Sequence, residues 1–411
     1  MLKRVFGEGF RAFFLAAALW GMISGIIWLI ALIAQMSGDG LSLSGPSMAP
    51  HLWHGHEMIF GYGTAAIGGF FLTAVPNWTG SPAVRERFIA LAVGAWLAAR
   101  VALWFSGFVP LIFVSLIDLA FVPILALRIL MQLLKRPKPQ NMIFLLFLLA
   151  LFIANLLVHL DWHDKLPGGA GDGLRMGLLA LCGMIAVLGG RVTPAFTRNA
   201  MNRAGLAETR FPATTPRLDK ASMVLAVALP WAAVWTNLAA PVAALLALVQ
   251  GARLVGWRGR WTLDKPILWS LHLGQGMLVI GLTLWALAKW GLGDEIAAMH
   301  FLGVGAVGVM TLAVMSRATL GHTGRPLHAP GPIAWGYVMM AVAAIARWLG
   351  GGGGMDGDYY YTLLFLTGGL WVLAFALFLF SLAGALTQPR PPRAPVPPVP
   401  DERPAGKSSK A

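Results

Sequence analysis

The densest chemistry in the chain is the strip His51-Leu52-Trp53-His54-Gly55-His56-Glu57. A neutral imidazole offers one ring nitrogen to iron or copper, so three of them in a short strip can furnish more than one metal site. In a helix His51 and His54 share a face and His56 points elsewhere, whereas in an extended segment His54 and His56 align. Either arrangement lets the strip serve two sites. Glu57 is placed to orient an imidazole through its second nitrogen. The competing reading is an interfacial belt, because Trp53 and several histidines also suit the headgroup zone of a bilayer.

Further candidates are scattered. His159 and His163 stand four apart near the end of one apolar run, and His300 opens another. Asp118 lies in the middle of a third, where a bare carboxylate is costly; it reads either as a proton or ion relay or as a structural ion pair with Arg100. Arg191, Arg317, His322 and Arg325 sit in Gly-Gly-Arg-Val-Thr-Pro and Gly-His-Thr-Gly-Arg-Pro. They read as a site for an anion or a haem propionate, or as cations that only fix membrane orientation.

The elements that must position these residues are membrane spans. A chain of 411 residues that is 57% hydrophobic and 12% charged, with mean hydropathy +0.71, has more apolar surface than one soluble core can bury. Its net charge of +14 does not point to nucleic acid, since the cations lie in short loops and not in a basic patch. The single cysteine, Cys182, excludes a disulfide framework, a covalent haem motif and a thiolate metal site, and reads as packing.

Apolar runs place twelve helices near 12 to 36, 58 to 76, 88 to 105, 109 to 131, 142 to 159, 174 to 190, 221 to 236, 238 to 254, 267 to 288, 296 to 315, 333 to 349 and 362 to 386. The expected fold is an all-α polytopic membrane domain over 1–386, followed by a Pro-rich, disordered cytoplasmic tail over 387–411. With the N-terminus inside, 26 of the 31 Lys and Arg fall on the cytoplasmic side, which supports both the count and the direction. His51, His54, His56, His159, His163 and His300 then share the outer leaflet, while His272, His322 and His328 face the cytoplasm.

The segment from His56 to Pro82 can be laid on His300 to Pro326 at a constant offset of 244, and Arg191 and Thr197 fall on Arg317 and Thr323 at an offset of 126. Helices two, six and ten would then be equivalent members of three four-helix units. Helices two and ten are also rich in glycine after their histidines, which reads as close helix packing or as room for a flat macrocycle.

The strips Trp53-His54-Gly55-His56-Glu57-Met58-Ile59-Phe60-Gly61-Tyr62, Gly69-Phe70-Phe71-Leu72-Thr73-Ala74-Val75-Pro76-Asn77-Trp78-Thr79-Gly80, Gly189-Gly190-Arg191-Val192-Thr193-Pro194 and Ser316-Arg317-Ala318-Thr319-Leu320-Gly321-His322-Thr323-Gly324-Arg325-Pro326-Leu327 resemble the NnrS family over nearly the whole membrane region. The resemblance implies a bacterial inner-membrane protein that contains haem and copper and is associated with nitric oxide metabolism, denitrification and resistance to nitrosative stress. A more distant likeness is to the catalytic subunit of haem-copper oxidases and nitric oxide reductases, which hold a haem between helices two and ten. This chain departs from them at helices six and seven, which carry no histidine; the usual binuclear centre has no counterpart there, and fold likeness does not confer its activity.

The leading expectation is a haem b and copper protein with metal sites near the periplasmic leaflet. His56 and His300 are the expected axial ligands, with His54, Arg191 and Arg317 also offered to the cofactor. His51, His54, His159 and His163 are the expected copper donors. Expected partners are membrane lipid, nitric oxide or a metal-nitrosyl species and an electron-transfer partner, with no nucleic acid. No catalytic residue or reaction class is assigned. The alternative is a twelve-helix secondary transporter without haem, using Asp118, Arg100 and Asn155 as its pathway; a weaker one is an assembly factor that hands on metal.

Overall fold

The computed structural model describes residues 2–37, 45–351 and 357–392, and the regular structure among them is helical throughout. Twelve helices are long and apolar enough to cross a bilayer: α1 Gly9–Met36, α2 Pro50–Thr79, α3 Glu86–Trp104, α4 Leu111–Leu133, α5 Pro139–Trp162, α6 Gly169–Arg203, α7 Pro216–Trp235, α8 Ala239–Gly256, α9 Pro266–Lys289, α10 Glu295–His322, α11 Gly331–Leu349 and α12 Gly357–Thr387. The chain is a multi-pass membrane protein. Most of the 387–411 tail lies outside the described residues, as does part of the Gly350–Gly354 turn.

Local chemistry explains the boundaries. Proline stands at the start of α2, α5, α7 and α9, where its missing N–H costs nothing and its fixed φ suits the first turn. The narrow gap between α7 and α8 is a true break, with Thr236 Oγ1 donating to the carbonyl of Ala232 and accepting from the N–H of Leu238. Two helices outrun their apolar cores. α2 begins at Pro50, so the whole histidine strip is helical, and α6 continues to Arg203 before Gly205 turns the chain at φ +72°. Hydropathy marks where lipid begins, whereas a helix continues as long as its backbone bonds are made.

The helices form three quartets in a ring. The last helix of each packs on the first of the next: α4 on α5, α8 on α9, and α12 back on α1. The second helix of each quartet lies inside, and α6 touches both α2 and α10. The apolar cores of α6, α2 and α10 are 83%, 72% and 67% buried, against 28% to 61% for the other nine. The offsets of 244 and 126 therefore mark three structurally equivalent central helices.

The start of α1 and the close of α12 meet at one end of the bundle. Arg11 at the start of α1 donates to the carbonyls of Ala385 and Leu386 at the end of α12, at 2.9 and 3.0 Å, satisfying acceptors that a helix end leaves open. The opposite end carries the start of α2 and α10 and the close of α3 and α5, and with them His51, His54, His56, His159, His163 and His300.

Two of the central helices share an irregularity. α2 widens to a π-helix over Glu57–Gly63 and α10 over Phe301–Gly308, each beginning at the residue after His56 or His300. α6 has no such segment. π-turns weaken backbone geometry and concentrate at functional positions. Here they follow the histidines at equivalent places in two repeats.

Candidate metal centres

Two residues along an α-helix turn by about 200°, so α2 sends His54 and His56 to opposite neighbours. His56 is fully buried and faces α4 and α5. Its Nε2 lies 3.2 Å from Asp118 Oδ2 and 2.9 Å from Asn155 Oδ1, and its Nδ1 lies 3.1 Å from Glu57 Oε1. His159 approaches the same Asp118 oxygen through Nε2 at 2.9 Å. The ligand atoms of His56, Asp118 and His159 all lie within 4.8 Å of one another. Asn155 and His159 are one turn apart on α5, and Asn155 Nδ2 donates to Asp118 Oδ2 at 2.6 Å.

A shell of ionic and polar groups locks this centre. Arg100 from α3 donates to both oxygens of Glu57, at 3.0 and 2.9 Å, and to Asp118 Oδ1. Trp20 from α1 donates to Glu57 Oε2 at 2.6 Å. Ser115, one turn before Asp118, contacts His159 Nδ1 at 3.0 Å and His163 Nε2 at 2.9 Å. Gly61 makes room for the shell: a Cβ there would stand 2.6 Å from Trp20 Nε1, 2.7 Å from Glu57 Oε2 and 2.8 Å from Arg100 Nη1.

Charge balance shows what the centre still needs. Two buried carboxylates face one guanidinium, which leaves one negative charge inside the membrane when the imidazoles are neutral. Both nitrogens of His56 face oxygens, three of them acceptors, while a neutral imidazole carries a single N–H. One further positive group, a proton or a metal ion, satisfies both conditions. Donor atoms about 2 Å from a shared ion stand roughly 3 to 3.5 Å apart, and the Asp118 contacts match that spacing.

The second set is built differently. His54 is half-buried and stacks on Trp28 of α1, with ring centroids 4.4 Å apart. His300 of α10 stacks near it, with ring centroids 6.3 Å apart and planes within 11° of parallel. His300 Nδ1 donates to the Ile296 carbonyl one turn back, at 2.8 Å, which leaves Nε2 with its lone pair free. His54 Nδ1 is buried without a partner, as is Nη1 of Arg347, whose charge acts on both rings. An imidazole lone pair lies in its ring plane, so a metal held by both rings requires them to turn from the stacked position toward each other.

The structure thus pairs His300 with His54, while His56 belongs to the Asp118 centre. His51 is exposed and joins neither set. His163 reaches the Asp118 centre only through Ser115. Arg317 lies 17 residues along α10 from His300, about 25 Å at 1.5 Å per residue, and stacks on Phe196. Arg191 lies near the same end of the bundle, over Phe144 and bonded to Asn141 and Gln140. Neither reaches the histidines. The glycines after them mostly serve packing: Gly63 is filled by Leu181, Gly69 by Phe14, and Gly308 by Met340 and Trp371. Gly303 could take a methyl without strain, since the nearest atom, Leu178 Cδ1, would lie in ordinary contact at 3.8 Å.

Sequence reasoning found Glu57 as the orienting group and Arg100 as the partner of Asp118, but it missed Trp20, Trp28, Ser115 and Arg347. For Ser115 a signal existed, because its spacing of three from Asp118 puts both on one helical face. The tryptophans carry none, since Trp20 and Trp28 are two of 17 in the chain. Residues 4–390 match the family model described as NnrS protein, and the chain belongs to that family. No curated protein matches it.

Proposed function

We propose that this member of the NnrS family is a haem b- and copper-binding protein of the bacterial inner membrane, acting in nitric oxide metabolism and resistance to nitrosative stress. Family membership supports the link to nitric oxide. The observation that carries the metal reading is the buried cluster of His56, Asp118 and His159, whose ligand atoms all lie within 4.8 Å of one another. His54 and His300 would hold the haem iron, and His56, Asp118 and His159 the copper. Bound there, the metals would supply one-electron chemistry and a site for nitric oxide. The chain's own residues do the positioning. The Ile296 carbonyl fixes the tautomer of His300, Trp28 holds the plane of His54, and the Arg100–Glu57 pair sets the orientation of His56.

The bias of Lys and Arg supports a cytoplasmic position for the end where α1 starts and α12 closes, and a periplasmic one for His51, His54, His56, His159, His163 and His300. The transporter alternative finds no support, because Asp118, Arg100 and Asn155 are buried and bonded to one another and to histidine.

The test is metal analysis with optical and EPR spectra of protein purified from cells supplied with haem and copper. Wild type should show a Soret band and bound copper. His54→Ala and His300→Ala should each lose the Soret band, and His159→Ala should lose copper while keeping it. Wild-type protein free of both metals would remove the reading.

A further inference from the structure

The centre of the molecule holds a feature that neither histidine set uses. Between α2, α6 and α10 runs a cavity of about 70 Å³. Its lining repeats: positions 63, 66, 67, 70 and 71 of α2, the positions 244 higher on α10, and the positions 126 below those on α6. Each central helix contributes the same five places, so the cavity lies on the pseudo-threefold axis of the three quartets. It begins at Gly63 and Val307, each seven residues after its histidine, where the π-helical segments end. From 63 to 71 it extends along the axis for about 12 Å at 1.5 Å per residue.

We infer that this axial slot is a binding site for a small, uncharged, apolar gas molecule. Its walls carry one polar side chain, Thr311, whose hydroxyl donates to the Val307 carbonyl at 2.7 Å and is paired with Tyr62. A water needs two to four polar partners, and a site offering fewer stays dry; apolar cavities of this kind take up xenon and similar guests. The volume is far too small for a macrocycle and suits one molecule the size of a diatomic gas. An ion or a polar substrate would lose its hydration without replacement. Such a gas dissolves in the surrounding lipid, and the slot lies on the same helices that present His56 and His300. That the gas is the one handled at the histidines rests on the proposed function; that the slot holds gas does not.

Full-length protein prepared without haem or copper is exposed to xenon, and binding is read from xenon-129 exchange spectra and from xenon-pressurised crystals. Wild type should show one bound environment, located on the axis. Val307→Phe and Ala66→Leu, which fill the slot, should abolish it, while Leu97→Phe on the lipid-facing side of α3, 50% exposed, should leave it intact. Met310→Ala, which enlarges the slot, should raise occupancy severalfold, so the inference does not hang on variants with a filled core. Absence of bound xenon in wild type, xenon that persists in both filled variants, or an acyl chain seated on the axis would each overturn it. Metal content of the same proteins is measured separately: a slot without xenon in protein that loads metal normally sinks this inference alone, and xenon binding in protein that never loads metal sinks the metal reading alone.

Discussion

His54 and His56 are two residues apart, yet their surroundings are opposites. Around His56 nearly every polar atom has a protein partner, supplied by α1, α3, α4 and α5. Around His54 its own Nδ1 and Nη1 of Arg347 go unmatched. Buried polar groups that stay unpaired cost stability, so a protein keeps them where something outside the chain completes the bonding. The first set thus contributes to the fold whether or not metal is present, and the second does so only when filled. Mutations in the first should show mainly in stability, and mutations in the second mainly in cofactor content.

The largest expected effect is at Arg100. Arg100→Met strands Glu57 and Asp118 as unpaired carboxylates inside the membrane, a loss of about 3–5 kcal/mol. Melting or SDS titration of the purified protein should show a large drop, and the double variant with Asp118→Asn should recover part of it. A wild-type melting curve for Arg100→Met would mean that the ion cluster is not what holds these four helices together.

Next in size is Gly61→Ala. The new methyl would meet three polar atoms of the cluster at 2.6–2.8 Å, and overpacking of this kind costs about 1–3 kcal/mol. Gly303→Ala, with nothing closer than 3.8 Å, is the matched control on α10 and should stay within about 0.5 kcal/mol of wild type. Equal losses at both glycines would erase the distinction drawn between the two regions.

Asp118→Asn separates charge from shape. Asparagine keeps an oxygen for the two imidazoles and leaves Arg100 in a one-to-one pair with Glu57, but its amide NH2 then faces the Arg100 donor, so stability should fall by about 1 kcal/mol. Copper content should nevertheless fall sharply, because an amide is a far poorer ligand than a carboxylate. Copper retained at the wild-type ratio would move the copper site elsewhere.

How much of this was legible in the sequence depends on which physical signal each feature leaves. Twelve spans were legible because lipid imposes their length. The pairing of Arg100 with Asp118 was legible because a charge buried in a span requires a partner. The division of the histidine strip between two sites was legible as a possibility, but not its outcome. That turned on α2 starting at Pro50 and on the rotational setting of α2, which fixes His56 toward Asp118 and sends His54 to His300. The partners on α1 were not legible, because nothing in the spacing of Trp20 or Trp28 says which side of a span turns inward. The repeat offsets foretold equivalent helices, yet not that two would open into π-helix while the third, which has Leu174 where His300 would align, would not.

The smallest expected effect sharpens the comparison most cheaply. His51 shares the strip and a helical face with His54, so by sequence alone it is as good a ligand as its neighbours. In the structure it is exposed at the start of α2, three residues and about 4.5 Å of helix rise before His54. His51→Ala should therefore leave the Soret band, the copper content and the melting temperature unchanged, while His54→Ala, one turn away, removes the Soret band with stability altered by less than about 1 kcal/mol. Loss of either metal in His51→Ala would show that the strip works as one site, and the contrast between a self-satisfied and an incomplete histidine set would fall with it.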